Sequence, residues 1–206
     1  MTAEEFVPST GDLGALAKAA AHCQGCELYR DATQTVFGRG DRNARFVLIG
    51  EQPGDQEDRR GEPFVGPAGA LLDRALAEAG IDPGETYVTN AVKHFRWKRA
   101  GKRRIHEKPG AAHINACRPW LLAELSRLRP DVIVLLGATA GQALFGPKFR
   151  VGASRGVPVD WQADDGPKTT TVATVHPSAV LRAPDRDAAY AGLLADLRTC
   201  AGLVRK

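Results

Sequence analysis

Three stretches of the chain hold side chains whose types and spacing suit chemistry. The first is Gly50-Glu51-Gln52-Pro53-Gly54-Asp55-Gln56-Glu57, running on to Phe64-Val65-Gly66-Pro67-Ala68-Gly69. Two carboxylates (Glu51, Asp55), an amide (Gln52) and an aromatic ring (Phe64) share this loop. Its glycines let the backbone approach a ligand closely. Pro67 suits the first turn of a helix, where free N–H groups favour anions. Asn90 and His176 stand near the ends of two other apolar runs. Taken alone, the loop reads equally as a surface turn that starts a helix, and a lone histidine after a strand is more often structural. Three polar groups brought from three strands to one edge carry more weight than any one of them.

The second stretch is Cys23-Gln24-Gly25-Cys26. This spacing puts two thiolates on one tight turn, as zinc and iron–sulfur sites require. A redox pair is the other reading, but such a motif follows a strand, and this one follows a helical segment. The third runs from Lys93 to Gly110. Eight of its nine charged side chains are basic, Glu107 being the exception. It is too charged and irregular for a core element, and reads either as a solvated loop or as a footprint for phosphates. In the second reading Phe95 or Trp97 is available for stacking.

The elements that must position these groups follow from the apolar pattern. Residues 46–49, 86–92, 131–137 and 170–175 read as strands, the third continuously apolar as a strand buried on both faces should be. Helical segments alternate with them: 11–22, the run after Pro67 that stops at Gly80, 111–129 with a kink or restart at Pro119, and 185–203. Residues 149–168 suit a hairpin or an exposed loop. The pattern predicts an α/β fold: three layers, α/β/α, around a central, mostly parallel four-stranded sheet. One domain over residues 1–206 is the default for this length, with the N-terminal helix and CxxC segment (1–40) packed on it. Of the composition, 43% is hydrophobic and 25% charged, ordinary for a globular protein. No apolar run approaches the ~18 residues that would span a membrane. The acidic N-terminus lacks an apolar signal core, which points to the cytoplasm. There, four cysteines suggest metal or catalysis rather than disulfides.

The motifs resemble the uracil-DNA glycosylase superfamily. Gly50–Gly54, Phe64–Gly69, Tyr87-Val88-Thr89-Asn90-Ala91-Val92-Lys93 and His176-Pro177-Ser178 stand in that family's order, and the similarity runs from about Cys23 to Leu197. It is closest to the iron–sulfur branch, family 4. Within that branch, Lys102-Arg103-Arg104-Ile105-His106-Glu107-Lys108-Pro109 resembles the arginine-rich loop of the UdgX type. The resemblance implies excision of uracil from DNA, single-stranded or duplex, by a monomer. Gln52, Asp55, Phe64 and Asn90 would face uracil, with Phe64 stacking on the flipped base and Asn90 reading its edge. His176 would steady the departing anion and Glu51 the positive sugar. Lys102, Arg103, Arg104, Lys108, Ser178 and Arg182 would contact DNA. His106 would attack C1′ and stay attached to the abasic site.

The same resemblance implies a 4Fe-4S cluster on Cys23, Cys26 and Cys117, with zinc as the alternative. Where family 4 has a further cysteine this chain has His94, so His94 or Cys200 would be the fourth ligand. His94 is favoured by its place in the motif. Three rival functions stay open at this point. They are a hydrolytic glycosylase in which His106 only touches DNA, a non-catalytic module for damaged or single-stranded DNA, and a hydrolase of free nucleosides. The basic loop argues against the last, since a free nucleoside has no phosphate chain.

Overall fold

The computed structural model describes residues 2–163 and 166–204. Its elements in order are α1 (Leu13–Ala20), β1 (Arg39–Gly40), β2 (Phe46–Gly50), α2 (Asp55–Arg60), α3 (Pro67–Ala79) and β3 (Thr86–Asn90). Then come β4 (Trp97–Ala100), β5 (Arg103–His106), α4 (Ala111–Leu128), β6 (Val132–Leu136) and α5 (Ala138–Phe145). The chain closes with α6 (Val151–Ser154), β7 (Pro158–Gln162), β8 (Lys168–Thr174), α7 (Pro177–Leu181) and α8 (Arg186–Leu203).

The main sheet has six strands in the order β1-β3-β2-β6-β8-β7. β3, β2, β6 and β8 are mutually parallel and correspond to the four strands expected from the sequence. β1 and β7 are added antiparallel at the two edges, so the sheet is mixed and wider than expected. The reason is local: β1 is two residues long, and β7, although Val159 and Trp161 alternate with polar residues, spans only five residues inside a stretch rich in Gly, Pro and Asp that read as a hairpin or an exposed loop. Among the described residues no helix is long and apolar enough to cross a membrane.

Alternation along the central strands feeds two cores. Val47 and Ile49 of β2, with Ile133 and Leu135 of β6, pack with Leu16, Trp120 and Leu144 from α1, α4 and α5. Phe46 and Leu48, with Val132, Val134 and Leu136, pack with Leu72, Val180 and Leu193 from α3, α7 and α8. Helices therefore cover both faces of the sheet. α4 runs unbroken through Pro119. Cys200 belongs to the second core, on the face opposite Cys23 and Cys117. The basic stretch is not wholly a solvated loop: β4 and β5 form a separate antiparallel hairpin, while Lys93, His94 and Phe95 before it are buried.

Candidate active site

The carboxyl ends of the parallel strands open into a cleft of about 660 Å³ lined by Glu51, Gln52, Phe64, Asn90, His106, Lys108, His176, Ser178 and Arg182, among others. Two glycines make the crowded end of β2 possible. A Cβ on Gly50 would come within 2.4 Å of Asn90 Oδ1 and 2.7 Å of the Phe64 ring, and one on Gly69 within 1.8 Å of the Phe64 carbonyl oxygen. Phe64 itself has φ +56°, a left-handed conformation that costs a non-glycine residue about 1–3 kcal/mol and tends to persist at functional sites. Its ring stacks at 6.1 Å and 24° from that of His176.

Glu51 lies between two partners. Thr139 Oγ1 donates to its Oε2 at 2.5 Å, and His106 Nε2 lies 3.3 Å from its Oε1. Burial pushes the carboxyl pKa up, but the hydrogen bonds to His106 and Thr139 outweigh it, and Glu51 rests below the usual carboxylate range. His176 behaves oppositely. Burial lowers its pKa to about 4, with Glu51 opposing and Arg182 and His106 assisting, so the ring is neutral at pH 7. The Ser178 backbone N–H donates to His176 Nδ1 at 3.1 Å. The ring proton is therefore on Nε2, which leaves that N–H as a hydrogen-bond donor.

The comparisons with known proteins agree on one relationship. The family model for the uracil DNA glycosylase superfamily matches residues 37–198. A type-4 uracil-DNA glycosylase of Thermotoga maritima is 39% identical over 161 residues, covering 78% of each chain. One from Archaeoglobus fulgidus is 36% identical over 166 residues, covering 79% of each. The chain belongs to the type-4 family of the uracil-DNA glycosylase superfamily.

In this type-4 chain two expected contacts are directed elsewhere. Asp55, expected to face uracil, accepts from Arg104 Nε at 2.5 Å and Arg59 Nε at 3.0 Å. Arg104, expected on phosphate, also donates to Asp58 at 2.6 Å and to Thr33 Oγ1 at 3.1 Å. Its guanidinium sits 5.4 Å from both the Phe95 and Trp97 ring centroids. Strand alternation explains the difference: Arg103 and Ile105 point outward, so Arg104 points in. Arg104 latches the hairpin to α2.

Gln52 lines the cleft, but its side-chain amide is engaged by the base of the hairpin. Nε2 donates to the carbonyls of Arg96 and Glu107, each at 3.1 Å, and Oε1 accepts from Arg96 N at 3.2 Å. Lys102 and Arg103 lie exposed at the hairpin turn, outside the cleft. Thr139 escaped the sequence reading. The signal was available, since it follows β6 at its carboxyl end, the rule that singled out Asn90 and His176.

Cys117 meets the far end of the turn after β3, with Cys23 and Cys26 on the same side of the sheet. Cys23 Sγ accepts from Trp120 Nε1 at 3.2 Å and from Gly25 N at 3.5 Å, and Cys117 Sγ accepts from Lys93 N at 3.2 Å. Burial pushes the Cys117 thiol up to about 12, Lys93 opposes this, and Cys26 and Cys23 add to it. His94 Nε2 is 2.9 Å from Thr35 Oγ1, whose own proton goes to the Ala20 carbonyl. Nε2 is thus the protonated nitrogen and Nδ1 keeps its lone pair. Among the described residues, no three His, Cys, Asp or Glu side chains gather closely enough to hold a single metal ion.

Proposed function

We propose that this protein is a UdgX-type uracil-DNA glycosylase that excises uracil and stays joined to the abasic site through His106. The carrying observation is the Glu51 carboxylate, anchored by Thr139 and facing His106, at the edge of the cleft that Phe64, Asn90 and His176 line. The base leaves the stack, at a cost of a few kcal/mol. Phe64 stacks on it and the Asn90 amide meets its Watson–Crick edge. The C1′–N1 bond breaks with its electron pair on the base. The neutral His176 donates its Nε2–H to the forming anion, and ionised Glu51 opposes the positive sugar. His106 Nε2 then bonds to C1′. In the resting geometry this nitrogen faces Glu51, so its proton must first pass through solvent to Nδ1. The resulting imidazolium is balanced by Glu51, and uracil takes its proton from water.

Uracil-containing DNA is the partner in this reading. Lys102, Arg103, Lys108, Ser178 and Arg182 are the DNA contacts. Arg104 acts indirectly, by holding the hairpin. We assign a 4Fe-4S cluster to Cys23, Cys26, Cys117 and His94. N–H groups aimed at two of the sulfurs and a lone pair on His94 Nδ1 suit that donor set. When bound, the cluster would cross-link the CxxC segment, the turn after β3 and α4, as a structural tie.

The deciding experiment incubates the protein with uracil-containing oligonucleotide, boils it in SDS and looks for a shifted band. His106→Ser should abolish the band and release uracil with turnover, because Glu51 and His176 remain and water can reach C1′. A His106→Ser protein that still carries DNA through SDS would end the covalent-histidine reading.

A further inference from the structure

Lys93 and Glu124 form an ion pair sealed inside the protein, with side chains 1% and 0% exposed. The ammonium has three acceptors: Thr89 Oγ1 at 2.6 Å, the Asn90 carbonyl at 2.9 Å and Glu124 Oε2 in a short contact. Glu124 Oε1 accepts from the Tyr87 hydroxyl at 2.9 Å and the Thr89 hydroxyl at 3.0 Å. Every polar atom of the pair is therefore satisfied. Yet burying two charges costs in desolvation about what their attraction returns, and an apolar pair of similar volume is often as stable. The purpose of the pair lies in what it holds.

What it holds is the peptide that carries Asn90. The ammonium grips the Asn90 carbonyl from the α4 side. On the other side, Ala91 N and Val92 N donate to the carbonyls of Gly50 and Glu51, each at 3.0 Å. The far end of the turn is tied by Lys93 N to Cys117 Sγ and by Val36 N to the Lys93 carbonyl at 2.8 Å. Asn90 thus projects into the cleft from a turn fixed on every side. We infer that Lys93 and Glu124 are a positioning pair that aims the Asn90 amide and so sets the preference for uracil. This rests on the reading of Asn90 as the group that meets the base.

The test uses Lys93→Met/Glu124→Leu, which removes both charges together and so leaves none unpaired. Two oligonucleotides are compared, one with cleavage-resistant 2′-fluoro-deoxyuridine and one with a tetrahydrofuran abasic analogue. The double variant should lose the preference for the uracil probe at least about tenfold, the size of one buried charge-assisted contact, with tetrahydrofuran affinity held within about twofold. Retained preference, or a parallel fall in both affinities, would overturn the inference. If the double variant does not fold, Glu124→Gln decides on the same two probes, and full preference there overturns it too. Asn90→Ala separates the two levels. If Asn90→Ala keeps the preference, the reading of Asn90 fails and the positioning role falls with it. If it loses the preference and the double variant does not, only the positioning role falls.

Discussion

Thr139 Oγ1 donates to Glu51 Oε2 at 2.5 Å, on the carboxylate oxygen that His106 does not face. The hydroxyl fixes the carboxylate plane and helps keep Glu51 ionised against its burial. Thr139→Ala should slow single-turnover uracil excision by about 10- to 100-fold, since a hydrogen bond to a charged group contributes about 1.5–3 kcal/mol. Thr139→Ser should restore most of the rate. Equal rates in Thr139→Ala and the parent, from rapid-quench measurements, would show that the hydroxyl does not support catalysis.

Arg103 and Arg104 are neighbours with different surroundings, the first exposed and the second paired with Asp55 and Asp58, and substitution should separate them. Arg103→Ala should weaken binding to all DNA sequences and reduce the slope of log K against log salt by about 1. Arg104→Ala should leave that slope nearly unchanged, because its guanidinium already pairs with Asp55 and the buried Asp58. It should instead loosen the hairpin, seen as faster amide exchange in β4 and β5 and less captured DNA. A salt slope that drops equally in both variants would place Arg104 on phosphate after all.

The four parallel strands were legible because each is a buried apolar run with polar punctuation at its carboxyl end. The convergence of Glu51, Asn90 and His176 followed from that alone. The edge strand β1 was not legible, since two residues leave no period to read, whereas β7 fell within residues 149–168 and pairs with β8 as the hairpin that was one of the two readings of that stretch. The inward turn of Arg104 was hidden for a different reason. In a run of Lys102, Arg103 and Arg104, composition is uniform and only strand phase tells which side chain turns in. Lys93 was hidden the same way: its charge marks it as surface, and only the partner 31 residues on makes its burial tolerable. Gln52, expected to face uracil, lines the cleft, but its amide bonds to the base of a hairpin far ahead in the chain, a pairing that no local pattern signals.

The depressed pKa of His176 gives stability a pH dependence of definite sign. In the folded protein the ring titrates near 4, against an ordinary 6.5. Between those values the unfolded chain binds a proton that the folded chain does not. Stability is therefore fully present above 6.5 and falls as pH drops through the window, by up to about 1.4 kcal/mol per pH unit. Denaturant titrations from pH 7 to 4 on the parent and on His176→Gln measure the difference. The variant should show the shallower acid slope, and parallel curves would refute the buried neutral imidazole.

The cysteine centre makes the last prediction. The assigned donors come from three separated segments: Cys23 and Cys26 after α1, His94 after β3 and Cys117 on α4. A cluster joining them should contribute to folding as well as to colour. Purified protein should be brown with broad absorption in the blue, and carry about four irons if all cluster positions are filled. Cys117→Ser should lose the iron and lower Tm. His94→Cys should retain the iron, because thiolate is the commoner ligand, whereas His94→Ala should leave the cluster labile to chelator. Cys200→Ala should not affect iron content, because that thiol donates to the Asp196 carbonyl in the core on the other face of the sheet. Colourless protein with stoichiometric zinc would remove the iron assignment. Iron lost on Cys200→Ala but kept on His94→Ala would exchange the fourth ligand.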